Sequence, residues 1–226
     1  MSELSNAKVF GGLGAILMLI GWFVPTVGII VNIVGLVLIF IAVKSISQIT
    51  KNEDIFRNYL MHFILEIISF VAIFVIMLIA FGVAGGFSWI TSLETAEITD
   101  IESFWANFGS IIGGCAVALI VGWILTILGA IYLRRSYNKI AEHTKVDLFK
   151  TAGLVYFIGA ITIIILIGIP ILFIARIIEI IAYFSLPDEL PTGDKKEKSE
   201  RRCPNCGRII PEDARTCPYC SKKFEE

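Results

Sequence analysis

Four cysteines near the C-terminus carry the most explicit chemistry in this sequence. They form two knuckles, Cys203-Pro204-Asn205-Cys206 and Cys217-Pro218-Tyr219-Cys220, with ten residues between them. Two Cys-x-x-Cys pairs at this spacing can fold back and present four thiolates to one tetrahedral Zn²⁺, leaving no open coordination position. Gly207 supplies the permissive backbone that turns amide groups toward the sulfurs. A pair of disulfides in an extracellular tail is the competing reading. The paired spacing favours structural zinc, with Cys203, Cys206, Cys217 and Cys220 as ligands, and reduced thiolates belong in a reducing compartment.

A second set of chemically capable residues lies within strongly apolar sequence: His62, Glu66, Arg176 and Glu179. Ionisable groups at membrane depth cost several kcal/mol unless paired or wetted, so they are candidates for a transport path or for a structural ion pair. Counting about 1.5 Å per helical residue from each flanking polar segment places Glu66 and Arg176 at similar depth. This predicts a cross-bundle Arg176–Glu66 pair, with Glu179 holding the guanidinium's other edge and His62 sharing the face of Glu66. The competing arrangement pairs Arg176 with Glu179 alone.

The elements that position these residues follow from hydropathy. The 226 residues are 56% hydrophobic and only 17% charged, with a formal net charge of −1; mean hydropathy is +0.81. These values exclude an ordinary soluble domain and place the chain in the membrane class. Residues 9–43, 67–93, 103–133 and 151–175 contain no charge. The 35 residues of 9–43 would reach about 52 Å as one helix, against a hydrocarbon core of about 30 Å. Split at Pro25 they make two spans or a re-entrant hairpin, and a cleavable signal peptide is not expected because a second apolar run follows at once. Ile55 to Gly86 and Phe104 to Leu133 give two further spans. Thr151 to Leu186 is read as another hairpin, because Gly14-Ala15-Ile16 precedes Pro25 by the same interval that Gly159-Ala160-Ile161 precedes Pro170.

The loops at 50–57 and 144–150 also resemble each other, each with an aspartate (Asp54, Asp147) placed to cap the following helix. The expected fold is therefore an all-α polytopic membrane bundle of about six segments in three helical hairpins (residues 1–186). A flexible charged linker (187–202) and a small zinc-binding domain (203–226) follow.

Orientation is read from the basic residues. Lys8, Lys44, Lys51, Arg57, the five between Arg134 and Lys150 and all nine of the tail fall on one side of this arrangement. The positive-inside rule puts both termini in the cytoplasm, in a plasma-membrane protein, with the acidic 87–103 loop outside. Trp22, Trp89 and Trp105 then fall at the outer interface, which suits indole. Gly82-x-x-x-Gly86 and Gly109-x-x-x-Gly113 are expected to bring the two central helices together, since small residues four apart let backbones approach in lipid. Cys115 is expected to be a small packing residue.

Arg201, Arg202, Arg208, Lys222 and Lys223 surround the cysteines, but Glu212, Asp213, Glu225 and Glu226 are interleaved with them. That mixture argues for solubility and against a nucleic-acid surface.

The segment from Cys203 to Cys220 resembles the short zinc-ribbon domains appended to many prokaryotic proteins, with Ser221 in place of the second knuckle's usual glycine. Such ribbons bind partners or cap a chain. From Ala7-Lys8-Val9-Phe10-Gly11-Gly12 through Phe184-Ser185-Leu186-Pro187 the chain resembles an uncharacterised archaeal family of multispan membrane proteins, some with a terminal zinc ribbon. That resemblance implies no activity. No nucleophile–base pair, phosphate loop or metal-hydrolase motif occurs, so the expected function is non-enzymatic, with the cytosolic ribbon docking a partner protein. The alternative is a small transporter or channel using Glu66, Arg176 and Glu179.

Overall fold

The structure, a computed structural model, describes residues 3–24, 27–86, 101–191, 200–203, 205–211, 216–217 and 219–220. It divides into two compact units, Met1–Leu190 and Pro191–Glu226. Among the described residues the first contains six α-helices: α1 (Glu3–Gly21), α2 (Gly28–Ile49), α3 (Glu53–Val83), α4 (Ile101–Thr144), α5 (Leu148–Thr162) and α6 (Gly168–Phe184). A 3₁₀ turn, Ile163–Ile165, joins the last two. Among the described residues five helical segments are long and apolar enough to cross a membrane. The sixth, α6, has 17 residues, about 25 Å of helix. Together they form the expected membrane bundle.

Each helix packs against the next in sequence, and α6 returns to α1, so the bundle is a closed ring. Lys8 lies 3.9 Å from Asp188, which puts both ends of this unit at one end of the ring. The dense core sits at that terminal end, where Val43, Ile46, Ile55, Tyr137, Ile140, Phe149, Tyr183 and Leu186 are buried together. Toward the opposite, turn end the helices show aliphatic and aromatic side chains outward, among them Ile29, Phe70, Phe74, Ile79 and Leu119. In lipid such exposure costs nothing, because acyl chains are as apolar as leucine.

The first hairpin is built on small residues seven apart. Gly14 and Gly21 on α1 meet Gly35 and Gly28 on α2, and Ala7 and Ala42, at the same spacing along the two helices, are fully buried. A side-chain carbon added at Gly14 would lie 2.6 Å from the Gly35 carbonyl oxygen, and one at Gly35 would lie 2.7 Å from that of Gly14. The last hairpin repeats the device: Gly159 on α5 and Gly168 on α6 are again in backbone contact, and Ala152, Ala175 and Ala182 are buried along the same two helices. The turn, however, falls at residues 163–167, with Leu166 left-handed at φ 63°. Pro170 is therefore inside the first turn of α6, where its missing N–H is tolerated. The interval to Pro170 marks no turn, although the hairpin it suggested is present. Pro25 lies outside the described residues.

Other expectations change as well. Asn52, not Asp54, caps α3: its side chain accepts the Asp54 amide at 3.1 Å. Asp54 instead pairs with Arg57 at 2.5 Å and with Lys139 of α4. Asp147 occupies the cap position of α5 without a capping hydrogen bond and pairs with Lys150 at 3.1 Å. The two loops nonetheless match in backbone, because Lys51 and Lys145 are both left-handed, at φ 53° and 58°. In each case the preceding threonine hydroxyl returns to the carbonyl four residues back, at 2.7 and 2.8 Å.

The central helices do meet closely, but not through the predicted glycines. Among the described residues nothing lies within 4 Å of the space beside Gly82, Gly109 or Gly113, and Gly86 is past the end of α3 at φ 57°. The contact runs through Gly114 against Ala80, Gly122 against Ile73 and Ser69, and Gly129 against His62 and Glu66. Successive helical residues point about 100° apart, so the face that holds Gly114 leaves Gly113 outside. Cys115 packs as expected, its sulfur 3.7 Å from that of Met77. Helix α4 also continues past Leu133 to Thr144, and there Ser136 donates to the Ile55 carbonyl at 2.8 Å.

Trp22 and Trp105 are exposed near the turn end. Trp89 and the acidic loop lie outside the described residues. In the second unit, β1 (Glu200–Arg202) pairs antiparallel with β2 (Ile209–Pro211), so the ribbon fold includes Glu200–Arg202, within the segment read as linker.

Candidate functional site: a four-cysteine metal centre and an intramembrane polar cluster

The β1–β2 hairpin carries the first knuckle between its strands. The Cys203 amide donates to the Arg208 carbonyl at 2.9 Å, and Gly207, at φ 69°, donates back to Cys203 at 2.8 Å. A positive φ at that step suits glycine, as the sequence anticipates. The four sulfurs of Cys203, Cys206, Cys217 and Cys220 lie within 4.8 Å of one another. Two of the separations, Cys203–Cys220 and Cys206–Cys217, are 3.7 Å. A tetrahedron with metal–sulfur bonds of about 2.3 Å has edges of about 3.8 Å. A disulfide would need about 2.05 Å. The site therefore fits a tetrahedrally bound metal, and the disulfide alternative fails. Burial pushes the Cys203 thiol up, but the amides of Cys206 and Asn205 together with the Cys206 and Cys217 thiols hold the group below the ordinary thiol value. Amide donors aimed at sulfur favour the thiolate that a metal requires.

The intramembrane groups lie on α3 and α6, with Gly129 of α4 and Tyr156 of α5 completing their surroundings. Arg176 donates from Nη1 to Glu179 Oε2 at 2.5 Å. Glu179 is buried and its other oxygen accepts from the Tyr137 hydroxyl, also at 2.5 Å. Glu66 lies apart from this pair. Its Oε1 accepts from Tyr156 at 3.4 Å and sits 3.9 Å from His62 Nδ1. Gly129 makes room for both, since a side-chain carbon there would lie 3.2 Å from His62 Nδ1 and 3.3 Å from Glu66 Oε1.

The predicted Arg176–Glu66 pair is thus replaced by the local Arg176–Glu179 pair. Glu179 is three residues along the same helix and needs no cross-bundle alignment to reach the guanidinium. Tyr137 completes its shell, while Tyr156 occupies Glu66. The four residues still gather at one level as two couples, and the tyrosines link them to neighbouring helices.

Sequence reasoning missed Tyr59, Tyr137, Tyr156, Tyr183 and Trp123. The available signal is that a tyrosine or tryptophan inside an apolar helix brings a polar atom needing a partner. Trp123 Nε1 illustrates it, donating to the carbonyls of Ala160 and Ile161 at 3.1 Å each, where α5 gives way to the 3₁₀ turn.

Comparison with known proteins matches residues 31–177 to the family described as protein of unknown function (DUF996). The chain belongs to that family. Residues 199–224 match a zinc-ribbon domain, which agrees with the sulfur geometry. The chain is also 35% identical over 189 residues to the uncharacterized protein MJ1644 of Methanocaldococcus jannaschii, covering 83% of this chain and 96% of that archaeal relative. No solved structure matches it.

Proposed function

We propose that this is a non-enzymatic multi-pass protein of the plasma membrane whose ribbon, closed by one structural Zn²⁺, docks a cytosolic protein. The observation that carries this reading is the surface beside the metal centre. Arg208 stacks over the Tyr219 ring at 4.8 Å, and both side chains are exposed. With all four cysteine sulfurs committed to metal, no coordination position is left for a reaction. Arginine and tyrosine are the residue types that most often anchor protein interfaces. Both termini are assigned to the cytoplasm, because Lys8, Lys44, Lys51, Arg57 and the Arg134–Lys150 set share the terminal end of the ring. Single cysteines at Ser92 and Ser199 test this assignment: an impermeant thiol reagent should label the first from outside intact cells and not the second. Docking is tested by capture from cytosol with the full chain in nanodiscs. Arg208→Ala with Tyr219→Ala should abolish capture at unchanged zinc content, and undiminished capture would overturn the reading.

The transport alternative draws support from a cavity that reaches Arg176. Against it stands the buried core between the charges and the terminal end. Flux in proteoliposomes, lost on Glu66→Gln, would favour transport over docking.

A further inference from the structure

At the terminal end, α1 and α6 are pinned together: the backbone of Gly11 lies against the Tyr183 ring and that of Gly12 against the Phe184 ring. Toward the turn end they diverge, bridged edge to face by Phe23 and Phe173 at 6.0 Å. The wedge between them holds a cavity of about 170 Å³, with Trp22, Met18, Leu172 and Phe173 on its walls and Tyr156 and Arg176 also lining it. Trp22 is 81% exposed, so the cavity is bordered by a side chain that faces the surroundings of the bundle.

The polar lining is selective. An arginine has five N–H donors. Among the described residues the guanidinium makes one hydrogen bond, from Nη1 to Glu179, which leaves donors for an oxygen placed in the cavity. Charge balance decides what kind of oxygen. Arg176 and Glu179 already cancel, so an incoming anion would leave an uncompensated negative charge buried at membrane depth, a costly state. A hydrocarbon would leave the donors unused. A neutral carbonyl oxygen uses them and adds no charge.

We propose that this cavity binds a neutral, largely apolar molecule from the bilayer through a ketone or ester carbonyl oxygen that accepts a hydrogen bond from Arg176. The Arg176–Glu179 pair is thus part of a binding site as well as a structural couple.

Four probes on one ring system test the assignment with the purified full chain in detergent, by equilibrium dialysis. Menadione carries ring ketones, methyl 2-naphthoate an ester carbonyl, 2-naphthoate an anion, and 2-methylnaphthalene no oxygen. One of the first two should bind at one per chain and about tenfold more tightly than 2-methylnaphthalene, the worth of one good hydrogen bond. Which of the two binds better distinguishes a ketone from an ester ligand. Leu172→Trp fills the cavity from its α6 wall, leaving Arg176 and Glu179 themselves unchanged, and should remove the saturable component. Met18→Phe narrows it from the opposite wall and serves if the first variant loses its helical signal. Equal binding of all neutral probes, tightest binding of 2-naphthoate, or undiminished binding to a folded cavity-filled variant would each overturn the proposal.

Discussion

The membrane ring and the ribbon reach their folds by opposite means. In the ring, α1 and α2 meet through glycine backbones, α3 and α4 through Gly114, Gly122 and Gly129, and the last hairpin through Gly159 and Gly168. There the stabilising contacts are close backbone approach and buried polar pairs, since lipid supplies no hydrophobic drive for helices to associate. The ribbon has two three-residue strands and, among its described residues, a buried core of cysteines. A segment that small has too little apolar surface to fold alone, so metal binding must supply the folding free energy. One unit is held by many shared contacts and the other is built around its four clustered cysteines.

The largest test of that contrast is metal removal. Structural zinc contributes an apparent 10–16 kcal/mol or about that at neutral pH. A strong chelator under reducing conditions, or Cys203→Ser, should erase amide protection across residues 200–220 and leave the helical signal unchanged. Retained protection would show that the ribbon folds without its metal.

Within the ring, Arg176→Gln should cost about 3–5 kcal/mol, because Glu179 would stay buried without its cation. Adding Glu179→Gln should restore most of the thermal stability measured in detergent, whereas adding Glu66→Gln should not. Rescue by Glu66→Gln would reinstate the cross-bundle pair.

Gly35→Leu should destabilise the ring by about 1–3 kcal/mol or more, since the opposing group is the Gly14 backbone and cannot rotate away. Gly113→Leu, in open space, should stay within about 0.5 kcal/mol of the parent. Equal losses in thermal unfolding would mean that the seam is no tighter than the lipid-facing surface. A change of opposite sign is expected at the matched loops: Lys51→Gly should stabilise by about 1 kcal/mol, by relieving a left-handed lysine. No gain in melting temperature would show the turn to be unstrained.

Sequence alone determined whatever depends on neighbours along the chain. The four-cysteine centre was legible because knuckle spacing is local and coordination chemistry admits few alternatives. The helical segments were legible because length and hydropathy bound what can cross a bilayer. Even the likeness of the two threonine–lysine loops was visible, and it survived as a shared left-handed turn although the capping role given to Asp54 did not.

What the sequence did not determine is how each helix is rotated about its own axis. In water, an amphipathic stripe fixes that rotation, but here lipid and interior are both apolar and the pattern carries little phase information. Choosing Gly114 over Gly113, Glu179 over Glu66 as the partner of Arg176, and opening a cavity between α1 and α6 are all consequences of rotation and tilt. Only the closed ring of six helices, where each face must satisfy two neighbours at once, decided them.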